Sequence, residues 1–406
     1  MSATMTTVNA MLKEVYEGDI RNQLDDAAIA IKRVLRSSEG VFESAGGKYV
    51  RFPLRTKRNH GISYRAENTQ LAPAGRQGYA EAQETLRYGY GRARFTGQVM
   101  DLAKTNTQAF ANAVDEEMDG LKNDVTRDQN RIVWGDREGF AETNGTGVIT
   151  VVTTGGAAST TVTAPTKGQI EPDMKIDLVD NTGTPVAAGT NRTVTAVAPD
   201  ELSFTIDVAV ATTSSATYIT RTGNWNNEPY GLTALVSQVG TVHNINSATA
   251  GNDYWRASAD DTTTTVLTEA AMIRKCDDIR RKVGNHISVV FCSLGVRRTY
   301  FNLLTSLRRY NEPKEWTGGL VGLAFNYEKE VPVVTDRDCP DLSMYLGDEK
   351  ELTVYRNRDW YFADNDGDVL KWVNDYDAWE ALLKCYWQLV IHKRGAWARF
   401  RNLTEA

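Results

Sequence analysis

The stretch KYVRFPLRTKRNHGISYRAENTQLAPAGRQGYAEAQETLRYGYGRARFTGQVMDLAKT, residues 48–105, decides how the rest of the chain is read. Its start alternates through Tyr49, Arg51 and Phe52 until Pro53 interrupts, and EAQETLRYGYGRARFTGQV reads as a returning strand. Between them, RNHGISYRAENTQLAPAGRQGYA holds Gly61, Pro73, Gly75 and Gly78 and little aliphatic bulk. Such a segment cannot bury a core of its own, which predicts a long extended hairpin reaching out from the body. Its charge is one-sided. Across 48–99, ten Lys/Arg, among them Arg51, Arg55, Lys57, Arg58, Arg65, Arg76, Arg92 and Arg94, stand against three Glu, a local net of +7.

The segment that follows has the opposite sign. From about Leu102 to Trp134, Phe110, Val114, Met118, Leu121, Val125 and Ile132 form one apolar stripe at three- and four-residue steps. This predicts a helix of roughly 45–50 Å lying along a sheet and ended by Gly135. Residues 100–139 hold nine Asp/Glu, including Asp115, Glu116, Asp119, Asp124 and Asp128, against five Lys/Arg, a net of −4. Hairpin and helix are complementary if one copy lays its hairpin over a neighbour's helix. Within one chain the short connection hinders that contact. The plain alternative is a solvated loop, since exposed charge alone steers more than it binds.

Outward from this pair the composition changes twice. On the N-terminal side, Leu24, Ala27, Ala28, Ile31, Val34 and Leu35 repeat at helical spacing until Gly46-Gly47 stops the pattern. On the C-terminal side, 145–222 contains nineteen Thr in 78 residues, no Trp or Cys, and only four Lys/Arg. GVITVVTT, TTVTAP, MKIDLVD, RTVTAV, LSFTID and TYITRT are six short β-type runs, which predicts a small all-β module set into the chain. Beyond it the pattern is α/β. Helices are expected over 265–283 and 295–306, strands at 287–292, 331–335, 342–347 and 351–356. The tail 360–401 reads as paired strands, with a tight turn at DNDGD (364–368) and a short helix near 376–385.

Charged residues are 24% and hydrophobic residues 41% of the 406, with a net charge of −6. That balance excludes wholesale disorder and a polybasic DNA-wrapping protein. No apolar run reaches membrane-span length, and the N-terminus has no secretory pattern. The four cysteines are dispersed, without a CxxC, and read as reduced thiols. The four histidines show no HExxH or HxH spacing, and neither GxSxG nor a P-loop is present. Arg94 occupies the third glycine position after Gly89 and Gly91, which defeats a dinucleotide fingerprint. DNDGD fails as a calcium loop because Phe362 and Val373 would fall at ligating positions. No cofactor, metal or catalytic residue is therefore expected. A carbohydrate-binding or hydrolytic role for the β module is weak, because only Phe204 and Tyr218 are aromatic there.

The order of parts, with KYVRFPLRT…TGQVMDLAKT at its centre, resembles the major capsid proteins of tailed double-stranded DNA bacteriophages, the Hong Kong 97 type of fold. The resemblance covers 1–140 and 223–406. It implies an α+β fold with an N-terminal arm at 1–47, an extended loop at 48–99 and a spine helix at 100–144. The axial domain would take 223–356 and the return to the peripheral domain 357–406, with the Thr-rich module at 145–222 as an insertion. It implies a homo-oligomer of hexamers and pentamers closing an icosahedral shell in the virion, assembled in the host cytoplasm. Portal protein, a separate scaffolding or decoration protein, and weakly held double-stranded DNA are the implied partners. Under this reading Arg51, Arg55, Lys57, Arg58, Tyr64, Arg65, Arg76, Tyr88, Arg92 and Arg94 contact a neighbour's Asp115, Glu116, Asp119, Asp124 and Asp128, with Phe52, Leu71 and Tyr90 as further apolar anchors. A cellular encapsulin-type compartment shares the fold and remains the alternative. Some family members cross-link lysine to asparagine between subunits; nothing marks Lys48 or Lys57 as reactive.

Overall fold

The computed structural model describes residues 28–36, 41–42, 49–98, 107–137, 158–164, 166–180, 182–210, 217–260, 266–308, 324–364 and 367–405. One strand, Ala378–Ile391, organises the first of two six-stranded sheets. One edge pairs antiparallel with Arg87–Thr96 over ten residues, from Ala378 opposite Thr96 to Trp387 opposite Arg87. The other edge pairs in succession with Leu370–Trp372, Tyr361–Phe362 and Leu352–Arg356, and Val41–Phe42 adds to the last. This corrects two sequence expectations. The region 376–385 is strand, not helix. WYFA and VLKW do not pair with each other across a tight turn; both line the same edge of the long strand.

The second sheet runs, in spatial order, Ser258–Asp260, Trp397–Phe400, Met344–Gly347, Val289–Cys292, Lys329–Thr335, Ala324–Tyr327. Alternation of side chains splits it between two cores. Val289, Phe291, Tyr345 and Trp397 face one cluster; Val290, Cys292, Met344, Leu346, Ala398 and Phe400 face the other. Two-sided burial explains why these strands read as unbroken apolar runs.

Helices cover the faces. The first, α1 (Ile29–Arg36), buries Ala30, Ile31 and Val34, with Ala28 buried just before it; the second, α2 (Thr107–Trp134), is 28 residues long, about 42 Å. A single turn, α3 (Leu232–Leu235), follows. Then come α4 (Glu269–Val283) and α5 (Leu294–Arg308) on the second sheet. The ends of α4 follow local chemistry. The Thr268 hydroxyl accepts from the Ala271 amide, and Gly284 takes a left-handed conformation at φ 79°.

Within 145–222, five antiparallel strands form a separate sheet in the order Ser159–Thr163, Ser203–Val210, Arg192–Val197, Lys175–Asp180, Thr217–Arg221. Its core is its own: Val162, Ile176, Leu178, Val194, Phe204, Ile206 and Ile219. The sixth run, GVITVVTT, lies outside the described residues, as does the pattern before residue 28. The loop between its strands Ser159–Thr163 and Lys175–Asp180 is clamped to the body. Arg127 and Arg337 both donate to the Gly168 carbonyl, and Gln169 Nε2 donates to the Asp338 carbonyl.

Candidate functional site

The strands Val50–Lys57 and Gly78–Glu84 pair antiparallel as a two-stranded ribbon, joined by twenty residues without strand structure. At its root Phe52 and Ala82 are buried in the main core. The Phe52 ring sits edge-on to His243 and His392, at 5.9 and 5.1 Å between centroids. Phe52 is therefore not an outward anchor. The alternation runs on through Pro53 rather than stopping there, and the ribbon lays its Phe52 and Leu54 face on the body.

His243 ties the root together. It stands with Asn244 in a two-residue turn, at φ 50° and 64°, between Thr241–Val242 and Ile245–Asn246. Its carbonyl accepts from the Gln83 amide, and its Nε2 accepts from the Ile391 amide at 3.2 Å. Nε2 being the acceptor, Nδ1 carries the proton and faces Glu84 at 3.4 Å. Complete burial holds the imidazole below its ordinary pKa, against the pull of Glu84. Nothing in the sequence marked Glu84 or His243; the TVHNIN pattern around the turn was the one available signal.

Further out, Arg51 pairs with Glu81 across the ribbon at 3.2 Å, an exposed contact of small value. Arg55, Lys57, Arg58 and Arg76 are exposed and make no ion pair among the described residues, while Arg65 reaches only the Ser63 hydroxyl. Beyond them the two arms meet at a neck of two glycines. A Cβ on Gly61 would lie 2.6 Å from the Gly75 amide nitrogen, and one on Gly75 would lie 2.5 Å from the Gly61 nitrogen. Only glycine permits that approach. The Asn59 side chain accepts from the Gly61 amide at 2.8 Å beside it. Past the neck, Ile62, Tyr64 and Leu71 stand 79%, 98% and 81% exposed.

The strand Arg87–Thr96 belongs to the body. Gly91 lies under Leu121 and Val125 of α2, so strand and helix meet within one chain through apolar contact. Arg92 and Arg94 point the other way: Arg92 donates to Glu380 at 2.7 Å, and the Arg94 guanidinium lies 4.5 Å from the Tyr376 ring. Tyr88 is exposed and edge-on to Tyr386; Tyr90 is exposed nearby. On α2, Asp119 pairs with Lys122. Asp128 is held by Arg131 and Arg221 at 2.8 and 3.2 Å, and Arg131 also grips Glu228 at 2.6 Å. Asp124 has a partner of its own, and the side chains of Asp115 and Glu116 lie outside the described residues. The outward-facing acids of the described part of α2 are thus Glu117, Asp119 and Asp124.

The rest of the described molecule offers little chemistry. No group of three or more His, Cys, Asp or Glu is placed to hold a metal among the described residues. Burial pushes the thiols of Cys276, Cys292 and Cys385 up to about 12, far from nucleophilic at neutral pH. No described helix is long and apolar enough to cross a membrane.

No family model and no curated protein matches the sequence. Solved structures do match over the whole chain, and they define a class: the chain has the fold of phage capsid subunits. In particular, a structure titled "Cyanophage A-1(L) capsid asymmetric unit" superposes with a TM-score of 0.61 at 13% identity, covering 99% of this chain and 100% of that one. "Capsid of native GTA particle computed with C5 symmetry" gives 0.51 at 8% identity, covering 100% and 99%. "Mycobacterium phage Bobi" gives 0.50 at 10%, covering 100% of both. At such identities the likeness is one of fold.

Proposed function

We propose that this chain is the major capsid protein of a tailed phage, of the Hong Kong 97 type, forming hexamers and pentamers that close an icosahedral shell around double-stranded DNA. The observation that carries this reading is the ribbon and its tip. An exposed strand pair ends in unpaired Arg and Lys and three almost fully exposed apolar side chains, on a chain whose fold is that of capsid subunits. A monomer gains nothing from such an extension, whereas a repeating contact between copies does. In the terms of that fold, 48–99 is the extended loop, 100–144 the spine, 145–222 an insertion, and 223–356 with 357–406 the axial and peripheral parts. Each contact is modest, and many copies make closure cooperative.

In this arrangement Arg55, Lys57, Arg58 and Arg76 of one copy set register over the acidic side of a neighbour's α2. Arg92, Arg94 and Asp128 keep their own chain in shape. Genome contact is weak and sequence-independent, because a subunit of net charge −6 neutralises little phosphate. Scaffolding, portal or decoration proteins would complete the particle. Light scattering and negative-stain imaging of the purified protein test the reading. Closed particles tens of nanometres across are expected; a species that stays monomeric with and without a co-expressed scaffold would end it.

A further inference from the structure

Resting on the self-assembly reading, we propose that the tip of the loop, residues 62–74, docks on a second copy of this chain, with Tyr64 entering the pocket between α2 and the strand Arg87–Thr96. The pocket is a cavity of about 260 Å³ whose walls include Gly89, Val125, Ile132, Asn227, Trp360 and Trp387. That is below the roughly 300–1,000 Å³ of small-molecule clefts, and it suits one large side chain.

Its chemistry selects an uncharged aromatic. The two carboxylates at its edge, Asp128 and Glu228, are already neutralised by Arg131 and Arg221 together, so an incoming cation would find no unpaired anion. Trp360 supplies a second signal: its buried Nε1–H has no acceptor among the described residues. Buried donors are nearly always paired, and the hydroxyl of an inserted tyrosine brings an acceptor. Tyr64 offers both a ring and a hydroxyl. At 98% exposure it does not occupy its own chain's pocket, so the pairing is between copies.

The spacing allows the charges to engage together with the ring. Glu117 and Asp119 lie about 9–23 Å along α2 from the pocket walls Val125 and Ile132. Arg58 is six residues from Tyr64, a span of at most about 20 Å in extended chain. The Gly61–Gly75 neck fixes the tip before contact, which removes much of the ordering cost of binding. The arms therefore steer, and the tip anchors.

Mixing two single variants, Tyr64→Cys and Asn227→Cys, and oxidising the assembled material tests the contact in trans. A covalent dimer at least tenfold above that of either variant alone is expected, because the native thiols of Cys276, Cys292, Cys339 and Cys385 are buried. In parallel, Tyr64→Ala should raise the protein concentration needed for particles about tenfold with unchanged melting, and Tyr64→Phe should fall between the two. Particles without the trans cross-link, or a Tyr64→Ala variant that assembles like the parent, overturn the docking while leaving the shell intact. A parent protein that never assembles overturns both.

Discussion

At the scale of single residues, the fold is held by polar groups placed where water cannot reach. Arg394 is fully buried without a carboxylate partner among the described residues; it donates to the carbonyls of Leu235, Trp255, Ala234 and Val239. Burial, then Arg399, pulls its pKa down to about 10, which still leaves it charged at pH 7. Arg394→Met should strand several carbonyls and cost on the order of 3 kcal/mol, read as a lower urea midpoint at unchanged slope. A second test concerns Asp336 and Asp338, buried side by side. Asp336 accepts from the Ala30 amide, and both accept from Asn130. Burial, opposed by Asn130 and Arg127, raises Asp338 to about 6. Its folded pKa exceeds the unfolded one, so the native state binds the extra proton between about pH 4 and 6. Stability from this group is present below about pH 4 and lost as pH rises through 6, about 3 kcal/mol in all. His243 works in the opposite sense: held neutral by burial, it withdraws stability as pH falls below roughly 6.5. Asp338→Asn should therefore be more stable than the parent at pH 7, with the difference shrinking toward pH 4, in melting curves at several pH values. None of these groups was visible in the sequence. An Arg, an Asp pair or a His carries no local sign of the carbonyls and amides that a distant segment will bring to it.

At the scale of elements, the helices α4 and α5 and the strands Val289–Cys292, Lys329–Thr335 and Met344–Gly347 were legible within a few residues, because their apolar periods and caps are local, whereas Ser258–Asp260 and Ala324–Tyr327 of the same sheet were not. The strand Ala378–Ile391 was not. AWEALLK is made of good helix formers, and its N-terminal half reads as helix. Pairing with Arg87–Thr96 over ten residues on one edge, and with three shorter strands on the other, outweighs that preference. The reach of the ribbon was legible from its glycines and its lack of aliphatic bulk, but the neck was not, since nothing in sequence says that Gly61 and Gly75 cross. Gly75→Val forces the crossing open. The variant should melt like the parent, because the neck is exposed and outside the core. It should need several-fold more protein to form particles in light scattering.

At the scale of the whole molecule, the proposed shell divides the labour of assembly between charge and apolar surface. Reversing Arg55, Lys57 and Arg58 together to Glu turns attraction over a neighbour's α2 into repulsion. The triple variant should be a folded subunit with a parent-like circular dichroism spectrum and no particles in negative stain. Assembly of the parent should slow as salt rises toward 1 M, where screening shortens to about 3 Å. Normal shells from the triple variant would remove the arms from the interface. The sequence showed the opposed charges of 48–99 and 100–139, but not that Asp128, Arg92 and Arg94 are occupied at home.

The long strand also sets a timetable. Arg87–Thr96 pairs with Ala378–Ile391, which leaves the ribosome some 280 residues later, roughly 15–60 s at 5–20 residues per second. Until then the inner half of the loop has no sheet to join, and the ribbon's root lacks the Ile391 amide that fixes His243. A nascent chain therefore cannot present a finished tip to its neighbours on the same polysome. Under the proposed function, competence to assemble waits for residues 378–391, so the order of synthesis guards against shells that begin on incomplete subunits.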